Sequence, residues 1–152
     1  MKNHYLKRIF STYPIDYAQA AFNKKYYLEA IQLLHSWIES KLRELIILTR
    51  HGNLKGGYKD IWKAMYELSY TQLSKALYVS GKINKSKYEA LTKFNSLRNK
   101  IIHKLFYETW EKGVVGIPLS DLKSTFKIGK KVCIQIENTL PVLATRGKVR
   151  KN

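Results

Sequence analysis

The chain lacks several features that mark other kinds of protein. It has one cysteine, Cys133, so no internal disulfide can form, and a reducing, cytoplasmic compartment is expected. Three prolines and eight glycines in 152 residues are too few for a fibrous or low-complexity chain. No apolar run reaches the roughly eighteen residues that a membrane span needs, so no membrane partner is expected. The opening Met1-Lys2-Asn3-His4-Tyr5 has no apolar h-region, and no secretory leader is expected. Strand-like alternation is absent, and there is no period of roughly 34 residues to suggest a helical-repeat solenoid. Acidic residues are scarce: 11 Asp plus Glu stand against 28 Lys plus Arg, a net charge of +17.

What is present suits one globular domain. Apolar residues are 45% of the chain, enough for a sizeable core and too many for a disordered chain. The basic excess is spread along the sequence. Such charge attracts nucleic acid backbones through counterion release, although a Lys-rich surface also serves solubility alone.

Helical spacing dominates. Residues 1–15 read as a basic, aromatic arm. Asp16 is suited to an N-cap before Tyr17-Ala18-Gln19-Ala20-Ala21-Phe22, a short helix, and Asn23-Lys24-Lys25 reads as a turn. A second helix over 25–50 carries Tyr27, Ile31, Leu34, Ile38, Leu42, Leu45 and Thr49 on one stripe, with His35 and Glu39 on its flank. His51 to Gly57 breaks it, Gly52 being a natural C′ residue. Gly57 is followed by Tyr58, and the preceding element is helical, so this is no phosphate loop. A third helix covers 58–79, with Ile61, Trp62, Met65, Tyr66, Leu68, Leu73, Ala76 and Leu77 as its apolar face. Asn84 or Ser86 caps a fourth over 85–112, and Ser86 with Glu89 fits a capping box. Gly113 and Gly116 stop it. A last helix starts near Pro118 or Ser120 and runs to Pro141, with Leu122, Phe126, Gly129, Cys133, Ile136 and Leu140 as its stripe. Residues 142–152 form a basic tail expected to be disordered. The fold class is therefore all-α: an antiparallel bundle of four main helices plus a short N-terminal helix, over 16–141.

The fourth helix has two faces to bury. On a wheel of roughly 100° per residue, Ala90, Phe94, Leu97, Ile101 and Leu105 form a core stripe. Lys93, Lys100, Lys104 and Glu111 form a solvated face. A third sector holds Asn95, Asn99, Ile102, His103, Phe106 and Trp110. Large apolar groups there imply a second contact, with the N-terminal arm, the last helix or another subunit, or else a helix at the centre of a monomeric core. Ile102, Phe106 and Trp110 are the expected interface of a two-fold homodimer, the favoured of these. Asn99 and His103 share a face. Arg98 and His103 lie roughly 140° apart on a straight helix, so a shared site is more readily built across two copies than within one.

Arg98-Asn99-Lys100-Ile101-Ile102-His103 resembles the Arg-x4–6-His signature of the HEPN superfamily, with a polar residue directly after the Arg. The stretch from Tyr27 to Leu42 is similar to that family's early helix. The resemblance implies a small, usually dimeric helical bundle and, in many members, a metal-independent ribonuclease acting as a toxin or defence component. It also implies Arg98 and His103 as the catalytic pair, Asn99 as their polar companion and Glu39 as an auxiliary acid. The family's alternative is a non-catalytic module that binds RNA or a protein. His103 is followed by Lys104 and Leu105, which does not match the His-x-Tyr pattern of one toxin branch.

The residue types suit that chemistry. RNA carries its own nucleophile, the ribose 2′-hydroxyl. A histidine titrating near neutrality can remove that proton or protonate the leaving 5′-oxygen. An arginine stays charged and donates two hydrogen bonds to phosphate. No cofactor or metal is called for, and His35, His51 and His103 show no metal-ligand spacing. The expected function is metal-independent cleavage of single-stranded RNA. The expected partners are RNA, a second copy of the chain, and an antitoxin or regulatory protein. Each residue also has a plainer role: His103 at an interface, Arg98 paired with Glu108 or Asp60, His35 as a satisfied flank histidine, and Glu39 as a partner of His35 or Arg98.

Overall fold

Apolar side chains every three or four residues define the central element, α2 (Tyr27–Thr49). Ile31, Leu34, Ile38, Leu42 and Leu45 are all buried; each such side chain taken from water contributes roughly 1.5–3 kcal/mol. In a computed structural model that describes residues 13–49, 58–105, 108–109, 113–114 and 116–140, the other helices pack around this stripe. They are α1 (Pro14–Asn23), α3 (Tyr58–Tyr66), α4 (Tyr70–Val79), α5 (Lys85–Lys104) and α6 (Leu119–Glu137). The most extensive contacts of α2 are with α6 and α1, while α5 bridges α4 and α6. The protein is an all-α bundle. Its described residues include no helix long and apolar enough to cross a membrane.

The seam between α2, α5 and α6 is the tightest part. Phe94 of α5 is fully buried, as are Leu91 beside it and Leu34 on α2. Gly129 of α6 faces them. A Cβ built on Gly129 would lie 2.4 Å from Phe94 Cε2, 2.7 Å from Phe94 Cζ and 3.1 Å from Leu34 Cδ1. The missing side chain is thus what lets the Phe94 ring fill the seam.

Three boundaries and one capping box differ from the sequence expectation. Tyr13, not Asp16, is the N-cap of α1; Pro14 takes the first helical position, where its missing N–H costs nothing, and Asp16 lies in the first turn. The expected third helix is two. The break has its own chemistry: Ser69 Oγ accepts from the Gln72 backbone N–H at 3.3 Å while Gln72 Oε1 accepts from the Ser69 N–H at 2.8 Å, a reciprocal capping box. Tyr66 and Ala76, expected on the apolar face, are exposed. Asn84 caps α5 by accepting from the Lys87 N–H at 3.0 Å, so Ser86 and Glu89 lie inside the helix and not in a capping box. Lastly, α5 ends at Lys104 instead of 112. Beyond it, β1 (Glu108–Thr109) pairs antiparallel with β2 (Gly113–Val114), Glu108 opposite Val114. Gly52, Phe106, Trp110, Pro141, nearly all of the N-terminal arm and the whole basic tail lie outside the described residues.

Two helix ends share one device. After α4, Gly81 (φ 68°) lets Lys82 N–H reach Leu77 O and Gly81 N–H reach Tyr78 O. After α1, Lys25 adopts the same left-handed conformation (φ 67°), with Tyr26 N–H on Ala21 O and Lys25 N–H on Phe22 O. These are Schellman ends, one with glycine and one with lysine.

Candidate nucleic-acid interface

The polar residues of α5 arise where its helical stripe turns away from the core. Phe94 and Ile101 point inward. Asn95, Arg98 and Asn99 are half-buried, and Ile102 and His103 are exposed. Arg98 reaches across to α2: its Nη2 and Nε both donate to Gln32 Oε1, at 2.6 and 3.2 Å. Its Nη1 donates to Asn99 Oδ1 at 3.0 Å. Arg98 and Asn99 are therefore one hydrogen-bonded unit, anchored by Gln32, and not by Asp60.

His103 stands apart from that unit. It lies in the last turn of α5 with Lys104, where positive charge is favoured by the helix dipole. Among the described residues it has no hydrogen-bond or ion-pair partner. The helical offset of roughly 140° expected between Arg98 and His103 agrees with a guanidinium directed to α2 and an imidazole directed to solvent. Ile102, adjacent to it, is 40% exposed.

A second histidine does meet Arg98's neighbourhood. His35 of α2 is buried, and its Nε2 donates to Asn95 Oδ1 at 3.0 Å, whose Nδ2 donates to Thr71 Oγ1 at 3.2 Å. The imidazole stacks on Tyr70 at 4.6 Å and 18°, near Phe94. Burial holds its pKa below the usual histidine value; the Arg98 charge lowers it further, while the Asn95 hydrogen bond and Glu39 act the other way. His35 is thus a neutral, hydrogen-bonded residue at the inner edge of the Arg98 cluster. By sequence alone His35 falls on a flank of α2 and Asn95 in the third sector of α5, with nothing to join them. The signal was available as polar residues at helical spacing on two helices: Gln32, His35 and Glu39 on one, and Asn95, Arg98 and Asn99 on the other.

Glu39 has another partner. Its carboxylate ion-pairs with Arg43 Nη2 at 3.1 Å. Arg43 in turn donates from Nε to Met65 O at 3.0 Å and from Nη2 to Leu68 O at 3.4 Å, satisfying the end of α3 and the turn before α4. Glu39 therefore orients an arginine that fastens α3 to α2.

Other polar groups are structural. Trp37 Nε1 donates to Glu137 Oε1 at 2.6 Å, and Lys41 sits 4.4 Å from the Trp37 ring centroid. Cys133 is buried, and burial pushes its thiol up to about 12, which makes it a poor nucleophile at neutral pH. Among the described residues no three His, Cys, Asp or Glu side chains are grouped to hold a metal ion. Comparison with protein-family models, with curated proteins and with solved structures finds no match to this chain.

Proposed function

We propose that the protein is a metal-independent endoribonuclease that binds single-stranded RNA and cleaves it by 2′-hydroxyl attack, acting as a homodimer. The observation that carries this reading is an exposed His103, without a partner among the described residues, on the same helix as Arg98 and Asn99, two residues already hydrogen-bonded to each other. In a strongly basic chain, that combination offers an acid–base group and a phosphate-binding group on one helix, roughly 140° apart, so that a shared site is assembled from two copies. The resemblance of Arg98-Asn99-x3-His103 to the HEPN signature supports the same reading. One His103 per copy becomes two in a dimer, one as base and one as acid. Homodimerisation through the exposed Ile102, a toxin or defence role, control by an antitoxin or regulatory protein, and a cytoplasmic setting belong to the proposal. The sequence-based stripe of Ile102 with Phe106 and Trp110 requires α5 to continue to 112, whereas it ends at Lys104.

In the reaction, one His103 takes the 2′-proton, the oxygen attacks phosphorus, and the second histidine protonates the departing 5′-oxygen. Arg98 stabilises charge on the phosphorane oxygens. The products are a 2′,3′-cyclic phosphate and a 5′-hydroxyl. The test is incubation with single-stranded RNA in excess EDTA. Cleavage that persists there and falls at least about 100-fold in His103→Ala is expected, general acid–base catalysis supplying that order of rate. Absence of cleavage in the unaltered protein, or equal cleavage by the variant, overturns the proposal.

A second reading has a specific observation in its favour. Arg98 is engaged twice by Gln32, which suits a structural arginine and a non-catalytic module that binds RNA or a protein partner. It expects salt-sensitive RNA binding that His103→Ala leaves unchanged.

A further inference from the structure

A groove of about 540 Å³ opens between the C-terminal half of α5 and the start of α6. That volume is in the range of small-ligand sites. Leu97, Ile101 and Ile117 give it apolar walls, and Lys100, Lys104 and Asp121 stand along it.

Three independent features point to a phosphate group. Lys100 and Lys104 are one helical turn apart, exposed, and without an ion pair among the described residues. The N-terminus of α6 opens here. Pro118 is its N-cap and supplies no side-chain cap, and Pro118 O is taken by the Asp121 and Leu122 N–H groups. Among the described residues the Leu119 and Ser120 N–H groups have no backbone partner, so the positive end of a 19-residue helix lies beside the groove. The third feature is Thr125. It lines the groove, is 1% exposed, and its hydroxyl makes no hydrogen bond among the described residues. No fully enclosed polar side-chain atom among them lacks a partner, so the Thr125 hydroxyl is not fully enclosed, and the residue borders the groove. A buried hydroxyl left open to a basic cleft is a donor awaiting an acceptor.

We propose that this groove binds a nucleoside monophosphate group. The phosphate lies against Lys100, Lys104, the start of α6 and the Thr125 hydroxyl. The Asp121 carboxylate accepts from sugar hydroxyls, and the base lies along Leu97, Ile101 and Ile117. The group is either a free nucleotide or the phosphorylated end of an RNA strand. Lys100 and His103 are three residues apart and so are neighbours on α5. A strand seated by its end would continue past His103; that part of the inference rests on the ribonuclease reading.

The test uses the full-length chain and amide NMR. The ligands are adenosine 5′-monophosphate, inorganic phosphate, and one six-nucleotide RNA with a 5′-phosphate or a 5′-hydroxyl. Saturable shifts at Ile117 and Thr125 are expected with the nucleotide, tighter than with inorganic phosphate. Thr125→Val should weaken nucleotide binding about 3- to 10-fold, the range for one lost hydrogen bond. Lys100→Ala with Lys104→Ala should weaken it more than tenfold while the spectrum stays dispersed. A tenfold preference for the 5′-phosphorylated RNA assigns the strand end as the source. Equal or absent RNA binding, with the nucleotide still in the groove, assigns a free nucleotide, and absent RNA binding also removes the ribonuclease reading. No shift in the groove with the nucleotide, or equal affinity for inorganic phosphate, overturns the inference. Salt-sensitive RNA binding elsewhere on the chain would then leave the ribonuclease reading standing.

Discussion

The inward and outward faces of α5 belong to one helix and follow different rules. Inward, Leu91 and Phe94 are fully buried and Ile101 nearly so. Their positions are dictated by packing: Phe94 occupies the space that a side chain on Gly129 would need. Outward, Arg98 and Asn99 are half-buried, and Ile102 and His103 are exposed. Arg98 is fixed by hydrogen bonds to Gln32, and His103 by nothing described. A side chain locked by packing stabilises the fold and is unavailable for other work. A basic side chain without a partner contributes little to stability and is available to a ligand. The contrast separates residues whose loss should unfold the protein from residues whose loss should silence it.

The largest effect is expected on the inward face. Phe94→Ala removes a fully buried aromatic ring and should lower unfolding free energy by about 3–5 kcal/mol, read from urea denaturation. RNA affinity of the remaining folded fraction should be unaltered. A cost below about 1 kcal/mol would mean that the seam is not close-packed, and the contrast between the faces would fail.

The converse experiment is on the outward face. His103→Ala should reduce RNA cleavage at least about 100-fold while the stability changes by no more than about 0.5 kcal/mol, as for surface positions without partners. Arg98→Ala should do both things at once. It removes the proposed phosphate-binding group and also the bonds to Gln32 and Asn99. Their contribution, screened by solvent, is on the order of 1 kcal/mol. Thermal unfolding and a cleavage assay on the same samples distinguish the two variants. Equal destabilisation by both would show that His103 has a packing role.

A sharper test of the seam uses Gly129. Its Cβ would sit 2.4 Å from the Phe94 ring, so Gly129→Ala forces a shift. Overpacking costs about 1–3 kcal/mol, offset by roughly 1 kcal/mol of helix propensity gained over glycine. The expected net loss is about 0–2 kcal/mol. In a Phe94→Ala background the two closest contacts are gone and only Leu34 Cδ1 at 3.1 Å remains, so the same change should be neutral or stabilising. Such a sign change is coupling between two touching residues, and simple additivity would remove the close approach.

The helical stripes were legible because burial repeats with the helical period. Ile31, Leu34, Ile38, Leu42 and Leu45 on α2, and Phe126, Gly129, Cys133 and Ile136 on α6, are buried as their spacing requires. The division of the third helix was not legible from apolar spacing. It is set by a Ser69–Gln72 cap and by Arg43 reaching from a different helix to Met65 O and Leu68 O. Periodicity cannot register a contact between residues 22 apart. The candidate site was partly legible for the same reason. The offset between Arg98 and His103 follows from helix geometry alone, but Gln32 as the partner of Arg98 depends on how two helices are placed side by side. The union of His35 with Asn95 across 60 residues is of that kind too.

The smallest expected effect lies where the two faces meet. His35 is packed against Tyr70 and also bonded into the polar cluster through Asn95, so it tests whether the boundary behaves as core or as surface. Burial lowers its pKa, and the Arg98 charge acts in the same direction, with Asn95 and Glu39 opposing. The folded state therefore binds a proton less readily than the unfolded chain, whose histidine titrates near about 6.5. The stabilising contribution is fully present above about pH 6.5. It is lost as pH falls from there toward the lowered folded value, with a slope of at most about 1.4 kcal/mol per pH unit for one proton. Urea denaturation at a series of pH values for the unaltered chain and for His35→Gln isolates that contribution, because other titrating groups cancel in the difference. The variant should be less stable at pH 7.5 and show a flatter decline between pH 6.5 and 5. Parallel declines would mean that His35 titrates as freely as a surface histidine, and the polar cluster would then belong wholly to the outward face.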